Sequence, residues 1–173
     1  MSLAIPLARG FKQQDNTALG SETAVFGVGN PLCGDDGLGN RVVSMLGAYK
    51  LPLNVTLEDI GTPGLGLPIL LDGKKRVILV DAVQMGQVAG TWRRLDPRET
   101  GFLTNQKIFS LHDSSLADGL ALSEALGVLP EEIILYGVEP GQLDEGHGIS
   151  PEVEAVLPEI VECIMNDLFR RKL

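Results

Sequence analysis

The chain has 173 residues, of which 44% are hydrophobic and 5% aromatic, and its formal net charge is -9 at pH 7. This length suits a single domain that folds without a disulfide or metal, with a core made mainly of Val, Ile and Leu. An acidic protein repels phosphate backbones, so the charge disfavours nucleic acid as a partner.

The N-terminal segment differs in character from the rest of the chain. Residues 1–20 lack the continuous apolar stretch and small-residue cleavage site of a signal peptide. We therefore predict a loosely ordered extension over 1–20 and a folded domain over 21–173.

Apolar runs and turn residues predict an alternation of strands and helices from there on. In chain order they predict a strand at 23–28, a helix around Leu38–Leu46, a strand at 53–60, a short helix at 65–72, a strand at 75–80, an edge strand at 90–95, a helix at 113–127, a strand at 133–138, and a final helix that begins at Ser150-Pro151 and is kinked or divided at Pro158. This order predicts a single-domain α/β fold with three α/β/α layers and a mainly parallel, twisted sheet of about five strands. The long polar loop at 96–112 is a candidate functional loop.

Acidic residues follow several of the predicted strands. Asp36 lies just after the glycine-rich turn that ends the first strand, Asp59 closes the strand at 53–60, and Asp81 stands at the end of the strand at 75–80. His112 follows the long loop and precedes a helix. Because function in parallel α/β sheets gathers beyond the carboxyl ends of the strands, these residues are candidate site residues.

The glycine-rich turn at 27–39 does not fit a phosphate-binding loop. Gly27 and Gly29 have dinucleotide-loop spacing, but Leu32 occupies the place of the third glycine. Asp35 and Asp36 stand where a pyrophosphate or the Lys-Ser/Thr pair of a P-loop belongs, and two carboxylates there would repel phosphate. The turn therefore favours a cation.

Two carboxylates and one imidazole form a plausible ligand set for nickel, zinc or iron. Three protein ligands leave coordination positions open for a substrate group or water. Each residue also has a structural interpretation: an Asp after a strand is often a helix cap or turn former, and a histidine often only donates a structural hydrogen bond. The residue pattern alone leaves these alternatives open.

An ordered set of motifs over about residues 23–168 resembles the hydrogenase maturation endopeptidases. The motifs are GVGNPLCGDDGLGNR (27–41), EDIGTPG (58–64), VILVDAV (77–83), SLHDSSLADGL (110–120), YGVEP (136–140) and GHGISPEVE (146–154). In that family the residues equivalent to Asp36, Asp81 and His112 bind the nickel of the incoming hydrogenase large subunit, and an acid usually stands where Asp59 stands.

The resemblance implies an aspartic-type or nickel-assisted endopeptidase with one specific substrate. It would remove a short C-terminal peptide from the precursor of a nickel–iron hydrogenase large subunit after nickel insertion. Asp36, Asp81 and His112 would complete the coordination of the substrate's nickel, and Asp36 or Asp59 would serve as general base. The isolated enzyme is expected to be metal-free or to hold an adventitious divalent ion.

Two other classes of function remain alternatives. A nickel-sensing chaperone would dock the same precursor through the same ligands without cutting it. A flavodoxin-like nucleotide-binding module would share the fold, but the acidic turn argues against it. Two separated cysteines, Cys33 and Cys163, and the lack of a long apolar run predict a cytoplasmic protein without a membrane span, as a monomer or weak dimer.

Overall fold

The computed structural model describes residues 22–99, 109–110 and 116–170, with backbone only for 109–110. The 1–20 extension, His112 and most of the loop at 96–112 lie outside these ranges, so the predictions that fall on them stay predictions.

Six strands and five helices follow one another along the described chain. The strands are β1 (Thr23–Gly27), β2 (Val55–Asp59), β3 (Arg76–Gln84), β4 (Trp92–Leu95), β5 (Phe109–Ser110) and β6 (Glu132–Val138), and the helices are α1 (Leu38–Leu46), α2 (Leu67–Leu71), α3 (Leu116–Ala125), α4 (Pro151–Glu154) and α5 (Leu157–Phe169). Short 3-10 turns at Gly34–Gly37 and Gly64–Gly66 lead into α1 and α2.

The sheet has the strand order β2-β1-β3-β6-β4, and β5 pairs separately with β3. The β2-β1-β3-β6 pairs are parallel, whereas β4 is an antiparallel edge strand on β6. The prediction of a mainly parallel α/β fold is confirmed. Strand β3 lies in the middle, so the residues at its carboxyl end have neighbours on both sides.

Helices cover both faces of this sheet, and β3 supplies side chains to each face by alternation. Ile78, Val80 and Ala82 belong to the cluster formed with α1, α4 and α5, whereas Val77, Leu79 and Val83 belong to the cluster formed with α2 and α3. Burial on both faces explains why the strand is an almost unbroken apolar run.

The predicted end of β3 was wrong. The strand does not stop before Asp81 but continues to Gln84, because residues 81–82 still pair with β6 and residues 83–84 pair with β5. Asp81 interrupts the apolar sequence pattern, so the pattern predicted a strand end there, but the backbone pairing continues through Asp81.

The C-terminal helix divides as Pro158 indicated. Ser150 caps α4 by accepting a hydrogen bond from the backbone N–H of Val153, and α5 begins at Leu157 with the proline in its first turn. A proline is tolerated in a first turn because the missing N–H has no partner in the helix. Among the described residues, every helix is too short or too polar to traverse a lipid bilayer.

Candidate functional site

Two glycines bring the start of α1 against the carboxyl ends of the central strands. A Cβ atom on Gly27 would lie 2.4 Å from the carbonyl oxygen of Gly39, and one on Gly39 would lie 2.4 Å from that of Val28 and 2.7 Å from that of Val80. No side chain fits in these gaps, so only glycine allows the helix to approach so closely. The acidic turn that precedes α1 (Gly34–Gly37, with Asp35 and Asp36) is therefore held at the edge of the sheet.

The turn itself is fastened to both neighbouring strand ends. The N–H of Val28 donates to the carbonyl oxygen of Val80 (2.9 Å), and the N–H of Gly29 donates to that of Gly61 (2.8 Å). The Asp36 carboxylate accepts a hydrogen bond of 2.6 Å from the N–H of Asn30. Asp36 thus lies directly against Gly29 and Asn30, in the segment that follows β1.

Asp81 follows Val80, which is the last residue of β3 that pairs with β1. Gly27 pairs with Val80, and Asp81 pairs with Gly137 on the other side. Its exposure is 0%, and that of Asp36 is 2%. By alternation, the Asp81 side chain points to the face covered by α2 and α3. The structure thus brings Asp36 and Asp81 to one edge of the sheet as buried carboxylates.

Asp59 occupies a different position from these two. It ends β2, an edge strand, and β1 separates it from β3, so two strand spacings or about 10 Å separate its backbone from that of β3. It is exposed, and its carboxylate accepts hydrogen bonds from the side chain of Asn40 (2.6 Å) and the N–H of Gly61 (3.1 Å). Its contact with Asn40 directs it to the α1 side of the sheet, opposite to the Asp81 side.

Asp35 is the most thoroughly hydrogen-bonded acid of the site. It is fully buried, and its carboxylate accepts hydrogen bonds from the N–H groups of Gly141, Gln142 and Ser150 and from the Ser150 hydroxyl. The sequence pattern carried no signal for these bonds, because their donors lie more than a hundred residues away in the chain.

Cys33 contributes no activated nucleophile to this turn. Partial burial, together with the negative charges of Glu145 and Asp36, raises the pKa of its thiol. A raised pKa keeps the thiol protonated at neutral pH, and a protonated thiol is a poor nucleophile. The environment of Cys33 therefore does not suit cysteine-protease chemistry.

Glu139 follows β6 and has a structural role that its sequence position did not reveal. Its carboxylate accepts hydrogen bonds from the N–H groups of Met85 (2.6 Å) and Gln87 (3.0 Å). Its own N–H donates to the carbonyl oxygen of Thr91. Glu139 therefore orders the loop between β3 and β4 at the edge where Asp81 lies.

His112 lies outside the described residues, between strand β5 and helix α3 in the chain. Ser110 pairs with Val83 in β5, and α3 begins at Leu116 in the cluster that also contains Val83. Among the side chains that the structure describes, no three His, Cys, Asp or Glu lie close enough together to hold a metal ion. A three-ligand site that includes Asp36 and Asp81 therefore needs a further ligand from elsewhere in the chain or from a substrate.

Known proteins that share this sequence pattern and fold are peptide hydrolases. The chain belongs to the hydrogenase maturation protease family, whose model matches residues 40–167, and it is a protease. The matched span contains Asp59, Asp81 and His112 and begins shortly after Asp36.

Individual relatives extend the match to most of the chain. The chain is 34% identical to the hydrogenase expression/formation protein HupD of Rhizobium leguminosarum bv. viciae over 83% of its own length and 72% of the relative. It is 35% identical to the hydrogenase 2 maturation protease of Escherichia coli (strain K12), over 82% and 87% of the two chains.

Among solved structures, the hydrogenase maturating endopeptidase HybD from E. coli superposes with a TM-score of 0.74 at 30% identity, covering 85% of this chain and 91% of that one. A solution structure of an endopeptidase from Escherichia coli gives a TM-score of 0.76 at 33% identity, with the same coverage.

Proposed function

We propose that this protease removes a C-terminal peptide from the precursor of a nickel–iron hydrogenase large subunit, and does so only after nickel has been inserted. Asp36, Asp81 and His112 recognise the nickel as part of the substrate by occupying its free coordination positions. We propose the cytoplasm as the compartment, because the two free cysteines, Cys33 and Cys163, suit a reducing environment. The enzyme is proposed to act as a monomer or weak dimer.

The register of β5 on β3 is the observation that carries this proposal. Ser110 pairs with Val83 and Phe109 with Gln84 in an antiparallel arrangement. Val83 is two residues from Asp81 in β3, and Ser110 is two residues from His112 in the chain. A residue two positions after Ser110 can also lie no more than about 7 Å from it. The pairing therefore supports a shared site for His112 and Asp81.

Burial of Asp36 and Asp81 supports a cation as the recognised group. Two carboxylates at one sheet edge repel each other, and their repulsion is stronger in a medium of low dielectric constant than in water. A divalent ion that arrives with the substrate relieves this repulsion. The mixed oxygen and nitrogen ligand set suits nickel, and substrate thiolates would complete the coordination.

The geometry favours Asp36 over Asp59 as the general base. Asp36 lies at the same edge as Asp81, so it can be close to both the substrate's metal and the scissile bond. Asp59 lies on the edge strand and points to the other face of the sheet, towards Asn40. Asp36 would take a proton from the attacking water, while the nickel in the substrate would polarise the carbonyl group.

The two alternative functions have less support than this one. Because the family consists of proteases, a chaperone that only docks the precursor does not account for the relatives. A nucleotide-binding module does not account for buried carboxylates at the start of α1, where a phosphate would bind in such a module.

Cleavage of a nickel-loaded precursor, followed by mass spectrometry, tests the proposed function. We expect loss of a C-terminal peptide from the nickel-loaded precursor and no cleavage of the same precursor prepared without nickel. Equal cleavage of both forms would contradict nickel recognition, and cleavage of neither would contradict the proposed substrate.

The two histidines of the chain offer a matched pair for testing the ligand set. We expect His112→Ala to weaken nickel binding by at least about tenfold in isothermal titration calorimetry. Loss of a residue that only hydrogen-bonds to a metal ligand already lowers metal affinity by about this factor. His147 is exposed in the loop before α4, so His147→Ala is the control and should bind nickel like the wild type. Unchanged affinity in His112→Ala would remove His112 from the site.

A further inference from the structure

Segment 141–150 is joined to the acidic turn by main-chain hydrogen bonds and by hydrogen bonds to the Asp35 side chain. Main-chain hydrogen bonds run from the N–H of Gly34 to the carbonyl oxygen of His147 and from that of Asp35 to Gln142. The N–H of Gly146 in turn donates to the carbonyl oxygen of Leu32. The two segments therefore form one unit, although they are far apart in sequence.

At the centre of this unit is the carboxylate of Asp35. Its four hydrogen bonds measure 2.7 Å from Gly141, 2.9 Å from Gln142, and 2.6 Å and 2.9 Å from the N–H and hydroxyl of Ser150. All four of these donors are uncharged groups. They compensate the burial of a negative charge, and they connect the turn to the start of α4.

We propose that Asp35 is the positioning residue of the site, because it holds the neighbouring Asp36 in its working position. This inference rests on the proposed function, since it takes Asp36 as the residue that contacts the substrate. Asp36 has little freedom of its own: it follows Asp35 within a 3-10 turn, and its carboxylate is held by the N–H of Asn30. Anchoring Asp35 to segment 141–150 therefore fixes the backbone from which Asp36 projects.

The chemistry of the four donors requires a carboxylate rather than an amide. An asparagine at position 35 would present one NH₂ group to N–H groups that are themselves donors. At least one donor would lose its acceptor, and the turn would have to shift to relieve the contact. A shift of even about 1 Å at a catalytic group can cost about a hundredfold in rate.

Asp167 supplies a matched control at the other end of the sheet. It is also a buried acid, held by the Tyr136 hydroxyl and the Arg94 guanidinium, and its carbonyl oxygen accepts from Arg76, the first residue of β3. Asp167→Asn should therefore remove similar stabilising contacts without disturbing the acidic turn. A comparison of the two variants separates positioning from general stability.

The experiment measures kcat and KM for cleavage of the nickel-loaded precursor, together with the melting temperature of each enzyme. We expect Asp35→Asn to lower kcat by at least about tenfold with KM within about twofold, because the loss falls on geometry rather than on substrate affinity. Asp167→Asn should keep a wild-type kcat despite a similar fall in melting temperature. Equal kcat values in the two variants would overturn the inference.

Ser150 provides a second, milder test should Asp35→Asn fail to fold. Ser150→Ala removes one of the four donors, whereas Ser150→Thr keeps the hydroxyl. We expect a lower kcat in Ser150→Ala and recovery in Ser150→Thr; the same kcat in both would count against Asp35. If the wild type cleaves the nickel-loaded precursor but Asp35→Asn keeps the same kcat as Asp167→Asn, this inference fails while the proposed function stands.

Discussion

At the scale of single residues, four aspartates at one edge of the sheet have different environments. Asp35 is satisfied by main-chain donors, Asp36 and Asp81 are buried beside the end of β1, and Asp59 is exposed on the edge strand. Burying several carboxylates costs stability unless donors or a cation compensate the charge. The four aspartates therefore have separate roles in the structure: Asp35 joins the turn to segment 141–150, Asp36 and Asp81 are buried at the sheet edge, and Asp59 faces solvent.

Gly29 decides how closely Asp36 can approach the turn. Its φ is +119°, and a Cβ atom there would lie 1.9 Å from the carbonyl oxygen of Asp36. We predict that Gly29→Ala lowers the free energy of unfolding by at least about 2 kcal/mol, since the backbone must move to admit a methyl group. Urea denaturation measures the change, and precursor cleavage should fall with it.

Gly66 is the control for this substitution. It has a helical φ of -80°, and a Cβ atom there would meet nothing within 4 Å. Gly66→Ala should leave stability unchanged or raise it by up to about 1 kcal/mol, because alanine restricts the unfolded chain. If Gly29→Ala were as stable as Gly66→Ala, the close approach of Asp36 would not be a packing constraint.

The positions of the site acids could be predicted from the sequence, but their hydrogen-bond partners could not. Asp36 and Asp81 follow apolar runs in the sequence, so their place at the carboxyl edge could be predicted from the strand pattern. The partners of Asp35 and Asp167 could not, because they lie 106 to 115 residues from Asp35 and 31 to 91 from Asp167 in the chain. A one-dimensional pattern carries no signal for contacts of this kind.

At the scale of elements, Asp167 joins the end of α5 to two strands. Burial alone would raise its pKa, but hydrogen bonds from Arg94 (2.8 Å) and Tyr136 (2.7 Å) outweigh burial, and the pKa is lowered. The same environment, with burial as the main cause, raises the pKa of Tyr136, so its hydroxyl stays a donor. The carboxylate at position 167 is therefore stabilised in its charged form.

This arrangement predicts a stability difference that depends on pH. A group with a lowered folded-state pKa stabilises the protein above its unfolded pKa of about 4, and the contribution is lost as the pH falls through the folded value. Asp167→Asn should therefore cost about 2 kcal/mol at pH 7, with a smaller difference from wild type below about pH 4. Urea titrations at several pH values measure this, with the exposed Asp72→Asn as control. A difference that stayed constant down to pH 3 would contradict the charged hydrogen bonds.

Strand and helix order could be predicted, but the extension of β3 could not. The apolar run ended at Val80, so the strand was expected to stop there. In the structure Asp81 and Ala82 still pair with β6, and Val83 and Gln84 pair with β5. Strand β5 lies in a polar loop without strand periodicity. Its pairing depends on the edge that β3 offers, which is a tertiary effect.

At the scale of the whole molecule, the described residues form two hydrophobic clusters, one on each face of the sheet. One contains β3 side chains with α1, α4 and α5, and the other contains β3 side chains with α2 and α3. Glu22 also fastens the start of β1, because its carbonyl oxygen accepts from the N–H groups of Lys75 and Arg76. These hydrogen bonds hold the described chain in the fold from Glu22 onwards.

We therefore predict that removing residues 1–20 leaves the melting temperature within about 2 °C of the full chain, since every described member of the two clusters is kept. Precursor cleavage should also be unchanged. Removing residues 1–24 is the matched comparison: it deletes Glu22 and the first two residues of β1, which lies between β2 and β3. That variant should melt at least about 5 °C lower, because the strand loses ladder hydrogen bonds and buried Ala24. A large fall already in the shorter truncation would assign the extension a part in the fold.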